Sequence, residues 1–133
     1  FVAQVGGEIV GAANCLSPAT KDVPEEVIKD WAEFGKNLSV GGQQLFDGYE
    51  DLQSRVFDDR PHVYVVAIGV RHDFQGKGIG RELLKAIELE HPGLPLRLDT
   101  HEPMNVAKYQ ALGFRLVEEA DLAGMANWFF ERP

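Results

Sequence analysis

HVYVVAIGVRHDFQGKGIGRELL, residues 62–84, is the stretch that decides the fold. Its first part, His62 to Val70, is nearly all apolar, which suits a strand covered on both faces. Its last part opens a helix that runs from about Ile79 to His91. Ile79, Leu83, Leu84 and Ile87 form the inner stripe, with Arg81, Glu82, Lys85 and Glu88 outside. His91-Pro92-Gly93 stops it. Between strand and helix lies Gln75-Gly76-Lys77-Gly78-Ile79-Gly80. The first N–H groups of a helix have no partner in the helix, and they point outward with the positive end of its dipole. An anion, above all a phosphate, is favoured there. Glycine at 76, 78 and 80 lets the backbone approach closely, because no Cβ intervenes. Lys77 and Arg81 add positive charge to a chain whose net charge is −8.

Several loops share this chemistry. The nucleotide loop G-x-x-x-x-G-K-[ST] is excluded, because Gly78 is followed by Ile79 and position 73 is Asp. The dinucleotide fingerprint G-x-G-x-x-G is met at Gly76 and Gly78 but broken by Arg81. Asp99 does end a strand at the distance where a ribose-binding acid would stand. A nicotinamide-dinucleotide-binding oxidoreductase domain therefore stays as an alternative, although an antiparallel hairpin ahead of the loop speaks against it. A glycine-rich turn with no ligand is the remaining alternative.

Working outward, Phe1 to Leu16 reads as a hairpin around Gly6-Gly7, which can supply the positive φ angles of a two-residue turn. Pro24, Glu25 and Glu26 open a helix whose Val27, Ile28, Trp31 and Phe34 recur at helical spacing, with Gly35 as its cap. A second helix spans about Gln43 to Phe57, with Leu45, Tyr49, Leu52 and Val56 on one face. Both helices read as packing elements, or as one wall of a substrate pocket. Leu94 to Thr100 is a strand, Glu102 to Leu112 a helix with Gly113 as its left-handed cap, and Phe114–Glu118 and Met125–Glu131 two more strands. The order ββ(αα)βαβαββ predicts one α/β sheet, part antiparallel and part parallel.

A length of 133 residues suits one domain, residues 1–133. No run approaches the roughly 20 apolar residues of a membrane span. An acidic chain is a poor match for nucleic acid. Cys15, in an apolar strand, reads as a small buried residue rather than a nucleophile, and a lone cysteine is consistent with a cytoplasmic protein. No metal site is expected.

Gln75-x-x-Gly78-x-Gly80 matches the signature [QR]-x-x-G-x-[GA] of the GNAT superfamily of acetyl-CoA-dependent N-acetyltransferases. The flanks Ala67-Ile68-Gly69-Val70 and Gly80-Arg81-Glu82-Leu83-Leu84 resemble that family too. So does a second segment, Asn105-Val106-Ala107-Lys108-Tyr109 followed by Ala111-Leu112-Gly113-Phe114. The resemblance covers about residues 62 to 131 well and the opening hairpin loosely. It implies a mixed, largely antiparallel sheet flanked by helices, here without the strand and helix that usually come first. An N-terminally truncated domain is therefore expected.

The same resemblance implies transfer of an acetyl group from acetyl-CoA to a primary amine by direct attack. Main-chain N–H groups of Gln75, Gly76, Lys77, Gly78, Ile79 and Gly80, with Arg81 beside them, would hold the CoA pyrophosphate. Ile68 and Val70 would lend backbone hydrogen bonds to the pantetheine arm, one of which would polarise the thioester carbonyl. Asn105 would contact the arm, and Tyr109, four residues on and on the same helical face, would protonate the leaving thiolate. A core-edge aromatic is the plainer alternative for Tyr109. The base is unassigned among Asp99, His101, Glu102, His62, Tyr64 and ordered water. The acceptor would be a small-molecule amine or a protein amino group. A non-catalytic acyl-CoA-binding module is the alternative to an enzyme. Homodimers through the C-terminal strands are common in such folds, and Trp128-Phe129-Phe130 could face a partner, although alternating burial explains them equally well.

Overall fold

A computed structural model describes residues 1–19 and 24–133. Its elements are β1 (Val2–Val5), β2 (Glu8–Leu16), α1 (Glu25–Lys36), α2 (Val40–Val56), β3 (Val63–Val70), α3 (Ile79–Glu90), β4 (Leu96–Thr100), α4 (Pro103–Ala111), β5 (Arg115–Leu122) and β6 (Met125–Arg132). The strands form a six-stranded sheet in the order β1-β2-β3-β4-β6-β5. Every neighbouring pair is antiparallel except β3 with β4. A parallel pair needs a crossover, and α3 supplies it. Gly6 and Gly7 turn the first hairpin at φ 58° and 85°, as expected of the Gly-Gly link.

Side chains alternate across each strand, so the sheet has two differently built faces. On one, Val63, Val65, Leu96, Leu98 and Phe130 pack with Leu83, Leu84 and Ile87 of α3, and Val106 and Tyr109 of α4 join them. Full burial of each large apolar side chain contributes roughly 1.5–3 kcal/mol. On the other face Arg97 is only 1 % exposed. Its Nε donates to Glu131 Oε2 at 2.9 Å, Nη2 to Asp58 Oδ1 at 2.7 Å, and Nη1 to the Asp58 carbonyl at 2.9 Å. The guanidinium also lies 5.3 Å from the Phe57 ring centre. Five donors in a rigid fork make arginine suited to so buried a position.

β3 carries the feature that positions the site. Its register against β2 runs Cys15↔Val65 and then Asn14↔Ala67, so Val66 is an extra, unpaired residue. Against β4 it pairs only at Val63↔Leu96 and Tyr64↔Arg97. Beyond those two pairs the strands part. Ile68 packs against the same apolar cluster as Val63 and Val65, three positions after Val65 where unbroken alternation would put it on the opposite face.

Some expectations change. α1 continues through Gly35 to Lys36 and is capped by Asn37. Its apolar stripe is not a buried face: Trp31 is 58 % exposed, and no α1 residue is buried. The reason is that Trp31 packs edge-on to Phe34 at 6.1 Å and against Phe46 of α2 at 6.4 Å, so α1 leans on α2. α2 starts at Val40, ahead of the expected Gln43, because Ser39 Oγ accepts from Gly42 N–H at 3.1 Å and offsets the poor helix propensity of Gly41 and Gly42. Phe129 and Phe130 are 0 % exposed, so they fill this chain's interior and do not present a surface to a partner. No helix among the described residues is long and apolar enough to cross a membrane.

Candidate functional site

The loop after β3 is built to hold its backbone open. A single 3₁₀ turn, His72–Phe74, leads from the strand, and Gln75 Nε2 donates back to the Val70 carbonyl at 3.0 Å. Gly76 and Gly78 then take φ 74° and 83°, the left-handed region that side chains resist. Gly78 is the N-cap of α3. A Cβ placed at Gly76, Gly78 or Gly80 would meet nothing within 4 Å, so the space before the loop is open. Among the described residues, no protein group accepts from the N–H groups of Gly76, Lys77, Gly78, Ile79, Gly80 or Arg81. Bare amides, open space and a helix N-terminus fit a diphosphate.

A cleft of about 630 Å³ runs from this loop along Ile68–Val70 to α4. Every residue expected to bind the cofactor lines it except Lys77. The Lys77 ammonium instead sits 4.6 Å from the Phe74 ring centre, leaving only its main chain in the loop. Arg71 N–H donates to the Val10 carbonyl at 2.8 Å. By antiparallel alternation Gly69 is then the residue bonded to β2, and the polar main-chain groups of Ile68 and Val70 turn away from it towards the parted edge.

On the far wall, Tyr109 packs its ring against Phe114 at 5.9 Å and Phe130 at 5.7 Å. Among the described residues no protein group hydrogen-bonds its hydroxyl. Burial, with a smaller contribution from the Asp99 charge, raises its pKa, so it stays protonated at neutral pH. Asn105, one turn earlier, donates to Thr100 Oγ1 at 3.3 Å and accepts from Lys108 at 3.3 Å.

The residues weighed as bases separate clearly. His62 Nδ1 lies 2.8 Å from the Arg60 carbonyl and 3.2 Å from Arg97, within the arginine network. His101 and Glu102 are exposed. Asp99 and Tyr64 meet. The Tyr64 hydroxyl donates to Asp99 Oδ1, and Tyr49 of α2 donates to Asp99 at 2.8 Å and 3.0 Å. The two hydroxyls lie 3.2 Å apart, and Gln53 Nε2 reaches Tyr49 at 3.4 Å. Burial above all pushes Tyr49 up to about 12, and burial with the Asp99 charge raises Tyr64 as well. Both phenols are therefore neutral donors. Tyr49 carried no chemical signal in the sequence beyond its place on a helix face. Cys15, half-buried at the edge of the core, has its thiol pKa raised by burial, which suits a packing residue.

The fold has close counterparts. An acetyltransferase from Corynebacterium glutamicum, described as histone acetyltransferase HPA2 and related acetyltransferase, aligns over 99 % of this chain and 62 % of its own, at 22 % identity and a TM-score of 0.60. An agmatine N-acetyltransferase aligns over 98 % and 73 %, at 19 % identity and 0.65. The polyamine N-acetyltransferase of Drosophila melanogaster aligns over 98 % and 72 %, at 16 % identity and 0.63. Against the first of these the chain thus spans less than two thirds of its counterpart's length. At such identities the likeness bears on the fold. The sequence model of the acetyltransferase (GNAT) family matches residues 1–114, which include the glycine loop, the parted strand and Tyr109. The chain belongs to the acetyltransferase (GNAT) family.

Proposed function

We propose that the chain transfers an acetyl group from acetyl-CoA to a primary amine, of a small molecule or of a protein. The observation that carries this is the row of unpartnered amides from Gly76 to Arg81, joined by one cleft to the free hydroxyl of Tyr109. Acetyl-CoA, when bound, would supply an activated acyl group. The residues of this chain would do the rest. The loop amides and the α3 dipole would hold the pyrophosphate. The outward-turned main-chain groups of Ile68 and Val70 would bind the pantetheine arm and fix the carbonyl in place. The acceptor nitrogen would form its bond to the carbonyl carbon as the C–S bond breaks. Tyr109 would give its proton to the departing sulfur and regain one from the product nitrogen. Bringing both reactants together in fixed geometry is worth roughly 7–11 kcal/mol in ideal cases.

The test is thermal unfolding with and without acetyl-CoA, followed by thiol release over an amine panel. Acetyl-CoA at about 100 times its dissociation constant should add roughly 2.7 kcal/mol of stability. Gly78→Val should abolish that gain. An absent gain in the folded parent chain would remove the reading. A gain without thiol release from any amine would reduce the chain to an acyl-CoA-binding module. Tyr109→Phe should lower turnover by about a hundredfold while the acetyl-CoA gain persists, and unaltered turnover would take Tyr109 out of the reaction.

A further inference from the structure

We propose that Asp99, clasped by Tyr49 and Tyr64, is the seat that binds the acceptor as an ammonium ion. This rests on the acetyl-transfer reading above and narrows its substrate class to amines that arrive cationic. The first observation is an imbalance of charge. Asp99 is half-buried, yet among the described residues no Lys, Arg or His lies within ion-pair reach of it. Asp58, Glu88, Glu118 and Glu131 each have an arginine. A partly desolvated carboxylate is costly unless hydrogen-bonded or paired. Two phenol protons offset part of that cost, one from Tyr64 and one from Tyr49. A carboxylate has about four acceptor sites, so room remains for the N–H groups of a cation.

The second observation is position. Asp99 lies on β4 beyond its last pairing with β3, where the two strands have parted. Tyr64, its hydrogen-bond partner, lines a hollow of about 570 Å³ on the α2 side of the sheet. Tyr109, which feels its charge, lines the cleft on the α4 side. The carboxylate thus hydrogen-bonds a residue of the hollow from which an acceptor can enter, and its charge reaches the hydroxyl placed to protonate the leaving group. Neither tyrosine competes for the cation, since both are held neutral. Asp99 binds and orients the ammonium, which gives up one proton to solvent water before its nitrogen attacks, and the seat has no use for an acceptor that arrives uncharged.

The experiment uses the full chain with saturating CoA and measures binding of n-butylamine, phenethylamine and 1,4-diaminobutane by calorimetry. Turnover of these amines is then compared with that of aniline, which is uncharged at neutral pH. Asp99→Asn should weaken alkylamine binding by about tenfold or more and lower the ratio of alkylamine to aniline turnover by a similar factor. The acetyl-CoA stability gain reports that the variant is folded. Alkylamine affinity within about twofold of the parent overturns the proposal. So does a parent chain that shows the acetyl-CoA gain but binds none of the three amines. A parent chain without that gain removes the transferase reading itself, and this seat with it. Should Asp99→Asn not fold, Tyr49→Phe decides: an alkylamine affinity lower by about threefold or more supports the seat, and a smaller loss overturns it.

Discussion

β4 turns Leu96 and Leu98 towards α3 and α4, and Arg97 and Asp99 towards α2. The first pair meets an apolar cluster in which Leu84 and Ile87 are 0 % exposed. The second meets ions and hydroxyls. The apolar side is non-directional and stabilises by area. The polar side is directional and stabilises only while every partner is in place. One strand of five residues thus separates a stabilising face from a face where charge is available for chemistry.

The comparison breaks most sharply at Arg97. Arg97→Ala removes the most buried of the arginines on Glu131, which keeps Arg115 at 2.9 Å, cuts the bonds to Asp58 and empties the space of a side chain only 2 % exposed; it should cost about 3–5 kcal/mol in urea unfolding. A loss below about 1 kcal/mol would mean that the network behaves as a surface ion pair. On the opposite face Leu84→Ala should cost roughly 2–5 kcal/mol, according to how far α3 can settle into the cavity. Replacing Arg97 and Glu131 together by apolar residues of similar volume should cost far less than Arg97→Ala, whereas no second substitution should rescue Leu84→Ala so cheaply.

The smallest effect is a pH dependence. Hydrogen bonds from Arg97, and next from Arg60, hold the Asp58 carboxyl down at about 2 against an ordinary value of 3.8. A depressed carboxyl stabilises the fold above its unfolded value and loses that contribution as pH falls through the folded one. Stability should therefore decline between about pH 4 and pH 2, and Asp58→Asn should flatten that decline. Leu84→Ala should lower stability by a similar amount at each pH in the window. An unchanged slope in Asp58→Asn would detach Asp58 from the polar face.

Legibility followed sequence distance. The glycine loop lies within six residues, and both its left-handed positions and its helix-mouth geometry follow from local rules, so Gly76 and Gly78 stand where the sequence placed them. Periodicity and turn residues carried the element order, and the two motifs the sheet type. The Asp99 cluster joins residues 15, 35 and 50 positions apart, and no local pattern ties them together. Asp99 and Tyr64 could be named as candidates from the sequence, but their meeting and the arrival of Tyr49 depend on α2 crossing the sheet. The stripe on α1 reads as a packing face because periodicity reports that a helix has an apolar side. It does not report what covers that face, and the rings that meet Trp31 among the described residues are Phe34 and Phe46. The place of the Lys77 ammonium, over the Phe74 ring, was likewise not legible from the loop pattern.

Val66 has a consequence for how this site can change over evolutionary time. It shifts the phase of β3 by one, which brings Ile68 onto the same side as Val65. The wedge between the strands is thus encoded by a count of residues more than by their identities. Amino-acid exchanges at the exposed Val66 and Ala67 should be tolerated widely, whereas losing one codon at position 66 would restore even alternation, invert every side chain up to Val70 and zip the two strands shut.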